Sequence, residues 1–128
     1  MRKLICITAL AVVAVMAPAA SAAMKTMSVV TLERPFLTNG ASIWSGELAS
    51  PKAICGDKRV VSVFVQRPGA DRKLGAVRAK PAGGVTYSWT FKKKGYAVKT
   101  TEKYYAKVKP TAKCSGAHSP AWSAVESY

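Results

Sequence analysis

The chain has 128 residues and carries 20 Lys and Arg against 6 Asp and Glu, a formal charge of +14, with one histidine and three cysteines. This length suits one ordinary domain and is too short for two full cores. A single histidine argues against a His-rich metal centre, and the cationic excess points toward anionic partners.

Arg2 and Lys3 form a positive start, and an apolar run follows from Leu4 to Ala17, interrupted only by Thr8. Pro18 breaks the helix, and Ala20-Ser21-Ala22 supplies the small-x-small pattern of a signal-peptidase site. The run is 14 residues long, short of the ~20 that a spanning helix needs; a retained N-terminal anchor is the alternative. Cys6 lies at the front of the run, where lipidation signals do not place their cysteine. Residues 1–22 are therefore expected to be a signal peptide and 23–128 a single β-sandwich domain, secreted to the extracellular space or the periplasm. Intact-mass analysis of exported material should show a chain starting at Ala23; recovery of the full-length precursor as the stable form would overturn this expectation.

Loss of Arg2 and Lys3 leaves 18 basic and 6 acidic residues in the mature chain, a formal charge of +12. Cys55 and Cys114 remain, and in an exported protein such a pair reads as a disulfide. Zinc is disfavoured because His118 is the sole histidine and no acidic cluster stands near either cysteine.

Along the mature chain the hydrophobic period is two rather than 3.6. Met27 to Glu33 predicts a strand ended by Arg34-Pro35. Ser42 to Leu48 places Trp44, Gly46 and Leu48 on one face, with Ser45 and Glu47 on the other. Pro51 and Gly56 bracket a loop holding Cys55, and Arg59 to Gln66 alternates with Val61, Val63 and Val65 on one side. Pro68 to Asp71 reads as a turn, Lys73 to Ala79 as a weaker strand, and Pro81 to Gly84 as another turn. Val85, Tyr87, Trp89 and Phe91 then share one face, with Thr86, Ser88 and Thr90 opposite, until Lys92 to Gly95 ends the strand. Thr101 to Lys109 turns Tyr104, Ala106 and Val108 inward and Lys103, Tyr105, Lys107 and Lys109 outward, and Trp122 to Val125 closes the sheet. The expectation is an all-β, antiparallel two-sheet sandwich of about six to seven strands, Ig-like or prealbumin-like, preceded by the signal-peptide helix. A closed five- or six-stranded barrel is the alternative.

From Trp44 to Ser119, about three quarters of the mature chain, the sequence resembles bacterial secreted β-sandwich modules of the carboxypeptidase-regulatory-like or transthyretin-like kind. The matching pieces are Gly46 with Leu48 and Ser50, Cys55-x3-Arg59-x-Val61, Pro68-Gly69-Ala70-Asp71 and Leu74-Gly75. Gly84 before the aromatic strand, Tyr104-Tyr105-Ala106-Lys107-Val108 and Cys114-Ser115-Gly116-Ala117-x-Ser119 complete the set. The resemblance implies a structural or adhesive module with no shared active site. Where such modules carry Thr-Asp before the turn glycine, this chain has Ala79-Lys80-Pro81, so it lacks any cation or loop role of that acid.

No residue set forms a catalytic or cofactor signature. His118 would have to serve any Ser-His or Cys-His arrangement, yet it follows Cys114 in a loop and reads as a surface residue. Glu47, Asp57, Asp71 and Glu102 are dispersed, without the paired spacing of a general acid and base. Gly83-Gly84 follows Pro and Ala and reads as a turn rather than a phosphate cradle. Tyr87, Trp89 and Phe91 read as a core stripe rather than a sugar platform, because the other face is all Ser and Thr. No enzyme, metal or cofactor role is expected.

The residues left to carry function are Lys92, Lys93, Lys94, Lys103, Tyr105, Lys107 and Lys109. Cations interleaved with an aromatic can grip a polyanion; the plainer reading is that outward lysines keep an edge soluble. The partners an exported protein meets are anionic envelope polymers, membrane surfaces and other proteins, rather than nucleic acid. The expected role is a non-enzymatic binding or structural module of the envelope or extracellular space, the alternative a secreted cationic effector or enzyme inhibitor.

Overall fold

A strand with one apolar and one polar face is satisfied only when its apolar face meets a second sheet. In the computed structural model, which describes residues 24–124, the chain does this with two antiparallel sheets. The signal-peptide reading, and Val125 at the end of the last expected strand, lie outside the described residues.

The first sheet is built on β3 (Ala41–Ala49) and β7 (Thr86–Lys94), which pair from Ala41 opposite Lys94 to Ala49 opposite Thr86. Trp44, Leu48, Tyr87 and Trp89 point inward and are buried, while Ser45, Glu47, Ser88 and Thr90 face out. Beside β3 lie β1 (Val29–Val30) and β2 (Phe36–Thr38), two halves of one edge strand. Between them the Thr31 and Glu33 amides still donate to the Glu47 and Ser45 carbonyls, both at 2.8 Å. Arg34-Pro35 therefore interrupts the strand without ending it, because an edge position tolerates a residue with no amide hydrogen. Asn39 and Gly40, with φ of 49° and 72°, make the tight hairpin from β2 into β3.

The second sheet places β4 (Val60–Val65) between β5 (Arg72–Arg78) and β8 (Lys103–Val108). Val61, Val63 and Val65 are fully buried, as their alternation requires. On the far side of β8 lie β9 (Ala117–His118) and β10 (Trp122–Ser123), linked between them by the Ser119 amide donating to the Ala106 carbonyl at 2.8 Å. The chain crosses from one sheet to the other at Ala79, 1% exposed, where β5 ends and β6 (Lys80–Gly83) begins. At the centre Trp44 packs its indole on Phe91, Tyr96 and Tyr104, with ring centroids 5.4, 5.7 and 5.8 Å away. Two separate sheets exclude the closed barrel.

Two local expectations are corrected. The turn expected over Pro81 to Gly84 comes later, at Gly84-Val85: Pro81 to Gly83 belong to β6, which pairs with β7 as an edge strand, and Val85 is exposed rather than on the inner face. Lys92 to Lys94 do not end β7, since Ala41 to Ile43 supply backbone partners through Lys94. Lys93 takes the inward register there: its ammonium donates to the Leu74 carbonyl at 3.1 Å and lies 5.8 Å from the Tyr96 ring centre.

One end of the sandwich is knotted. Cys55, in the short 3-10 turn Ala53–Cys55, is disulfide-bonded to Cys114, with Cα atoms 5.5 Å apart. The buried Arg59 donates to the carbonyls of Cys55, Lys109 and Ser115 and to the Ser28 hydroxyl. Thr26 bridges to Cys114, which fastens the N-terminal segment to the same knot.

Candidate anion-binding face

The outward alternation of β8 puts Lys103, Tyr105 and Lys107 on the outer face of the second sheet, with Lys109 following beyond the strand. Phe64 on β4 sits opposite Tyr105, and the two rings stack with centroids 5.4 Å apart and planes 11° from parallel. The Tyr105 hydroxyl donates to Asp71 Oδ2 at 2.6 Å, and the Arg67 amide donates to Asp71 Oδ1 at 3.1 Å. The turn Pro68 to Asp71 thus anchors the tip of the aromatic ring.

These contacts set the local charge. The hydrogen bond from Tyr105 holds the Asp71 carboxyl below the usual carboxylate range, with the Arg67 amide and the Lys107 charge acting in the same direction. Burial, followed by the hydrogen bond to Asp71 and its charge, pushes the Tyr105 hydroxyl up to about 12. Because the folded-state pKa of Asp71 is depressed, this contact is in place above the ordinary carboxylate range. It is lost only as pH falls through the lowered value. The face is a stacked ring pair with Lys103 and Lys107 on either side of Tyr105 along β8. Next to it, Gln66, Asp71, Tyr105, Lys107 and His118 line a shallow hollow of about 350 Å³.

The seven residues singled out in the sequence do not share one surface. β7 belongs to the first sheet and β8 to the second, so Lys92 and Lys94 lie on the opposite outer face from Lys103, Tyr105 and Lys107. Lys93 is turned inward. Phe64 and Lys73, opposite one another on β4 and β5, join the second face instead. Phe64 was legible as an outward aromatic, being out of phase with Val61, Val63 and Val65.

The alternatives for chemistry meet other partners. His118 Nδ1 lies 3.3 Å from the Ser119 carbonyl oxygen. The Ser119 hydroxyl accepts from the Ala106 amide at 2.8 Å and donates to the Pro120 carbonyl at 3.0 Å, which leaves it committed to the backbone. Glu102 pairs with Arg67 at 2.8 Å. Tyr87 and Trp89 are buried in the core, with Phe91 packed against it. Among the described residues no group of three His, Cys, Asp or Glu could hold a metal ion. Comparison with protein-family models finds no match, and comparison with curated proteins finds none either.

Proposed function

We propose that this protein is an exported, non-enzymatic binding module that holds an anionic polymer of the cell envelope or extracellular space on the outer face of its second sheet. The observation that carries the reading is the Phe64–Tyr105 stack flanked by Lys103 and Lys107. A ring pair held by packing and by Asp71 offers a flat apolar surface at little entropic cost, and the ammonium groups beside it supply the attraction for acid groups on the chain. A face serving solubility alone would need the lysines but not a pinned aromatic between them.

Two features support reading the sandwich as immunoglobulin-like. The edge strand, β3, β7 and β6 face β5, β4, β8 and the second edge strand in the order such sandwiches use. The Tyr104 hydroxyl accepts the Lys99 amide at 2.9 Å, the corner contact expected where the seventh strand leads into the eighth. In such folds partners are taken on sheet faces and on the loops at the ends.

Exposed charges are screened beyond roughly 10 Å at 0.1 M salt, so binding must weaken steeply as salt rises. With dextran sulfate as the probe, Lys103→Gln with Lys107→Gln should lower affinity at low salt about tenfold, at roughly 0.5–1 kcal/mol per exposed lysine. The slope of log affinity against log salt should fall by roughly 2. Tyr105→Ser should weaken binding further. Equal binding by wild type and the lysine variant across the salt series would reduce the face to a solubility device.

A further inference from the structure

We propose that a second hollow on this face, beside the disulfide knot, is a seat for a phosphate or sulfate group carried on the anionic polymer. The inference rests on the polymer-binding reading above and adds the chemical class of the acid group. The hollow measures about 470 Å³ and brings together Lys58, Lys73 and Lys109 with Ser62 and Thr111. Each lysine comes from a different element: Lys58 from the loop before β4, Lys73 from β5, and Lys109 from the chain leaving β8. Asp57 is the one carboxylate in the lining.

Three observations point to an oxyanion. The first is the gathering of three lysines around one concavity, which concentrates positive potential where a low-dielectric wall focuses it. The second is the backbone of Lys58, whose φ of 57° lies in the left-handed region that long side chains avoid. Its amide donates to the Ala79 carbonyl at 3.0 Å, so the surrounding fold holds it in place. Asn or Gly would take that conformation with less strain, and strain kept at an exposed cation marks a use for the side chain. The third is Ser62, 4% exposed in the middle of β4, a buried hydroxyl residue that lines the hollow beside the lysines.

A tetrahedral oxyanion uses such a set well. Ammonium groups act as rotatable point-charge donors, and a neutral hydroxyl supplies one directed bond. Arg59 also lines the hollow, but its four hydrogen bonds go to protein oxygens, so it contributes field rather than donors. Ile54 and Val60, 62% and 45% exposed, give the hollow an apolar wall against which a sugar ring or polymer backbone can rest.

The test uses the exported protein and two kinds of probe. Inorganic phosphate and inorganic sulfate, titrated separately, should each shift the amide resonances of Lys58, Ser62 and Lys73 in a saturable way. Dextran sulfate should bind about tenfold more tightly than polygalacturonate of matched charge density, since a planar carboxylate makes fewer of these contacts. Lys58→Asn with Ser62→Ala should abolish both the saturable shifts and the preference for sulfate, while leaving most of the binding of polygalacturonate. Lys58→Asn alone should be at least as stable as wild type, which separates loss of a ligand contact from loss of fold. Absence of saturable shifts, or an unchanged sulfate preference in the double variant, would overturn the oxyanion seat and leave the polymer face standing. Saturable shifts with phosphate but no binding of either polymer would instead overturn the polymer reading on which the inference rests.

Discussion

Arg59→Met is expected to lower the free energy of unfolding by about 3–5 kcal/mol, read by urea denaturation with an unchanged slope. Arg59 is 7% exposed. Nη1 donates to Ser28 Oγ at 3.1 Å and the Cys55 carbonyl at 3.0 Å; Nη2 donates to the carbonyls of Lys109 at 2.8 Å and Ser115 at 2.9 Å. No carboxylate is among these partners. Burial lowers the pKa of the group, but arginine starts so far above neutrality that it stays charged, solvated by carbonyl dipoles instead of water. Methionine keeps much of the volume and removes every donor, which leaves up to four oxygens to find water at a packed end of the sandwich. Arg59→Lys should fall between the two, since one ammonium cannot reproduce a planar fork.

The same variant interrogates the disulfide. Replacing Cys55 and Cys114 by Ser should cost about 2–5 kcal/mol, as loss of a native bridge does in small secreted domains. Both devices tie the loop before β4 to the loop after β8. Once the bridge is gone, those loops can move away from the guanidinium, so the combined loss should fall short of the sum by about 1 kcal/mol. Strict additivity would mean that the two act on separate parts of the molecule.

What the sequence revealed, and what it hid, follows from the range of the forces involved. The strands β3, β4 and β8 were legible because each has one face buried and one wet, and period two follows from that alone. The Cys55–Cys114 bridge was legible because a cysteine pair behind a signal-peptide pattern has few alternative readings. Arg34-Pro35 misled because proline breaks a central ladder but is harmless at an edge, and edge position depends on which strands pair. Lys92 to Lys94 misled for a related reason: alternate lysines in a strand reach solvent, and the inward Lys93 extends its stem along the end of the core to the Leu74 carbonyl. The Asn39-Gly40 hairpin was present as a strong local signal that the strand assignments did not use.

The candidate site divides along the same line. Local alternation placed Lys103, Tyr105 and Lys107 outward, as found. It could not assign β7 and β8 to different sheets, because that depends on pairings distant in sequence, Ala41 with Lys94 and Ser62 with Lys107. Lys58, Ser62 and Lys73 likewise converge only once β4, β5 and the preceding loop are assembled.

Gly46→Ala is expected to destabilise by about 3 kcal/mol or more, and no neighbouring truncation should rescue it. Gly46 faces the core between Trp44 and Leu48, where a β-carbon would stand 2.0 Å from the Thr31 carbonyl oxygen and 2.9 Å from Trp89 Cζ2. The indole could shift, but the carbonyl belongs to the edge strand, whose Thr31 amide donates to the Glu47 carbonyl at 2.8 Å and whose Thr31 hydroxyl accepts from the Glu47 amide at 3.0 Å. Making room means detaching that strand from β3, so Trp89→Leu in the Gly46→Ala background should add its own loss rather than relieve the first. Gly75 gives the contrasting case. It lies opposite Val63 on β5, and a β-carbon there would meet Phe91 Cζ at 2.3 Å. Here the nearest obstacle is a side chain from the other sheet, so Gly75→Ala should cost about 1–3 kcal/mol, and Phe91→Leu should recover part of that loss. Chemical denaturation of the four variants separates the cases. Rescue at both positions would mean that the edge strand yields as readily as a side chain, and that close backbone approach is not what Gly46 provides.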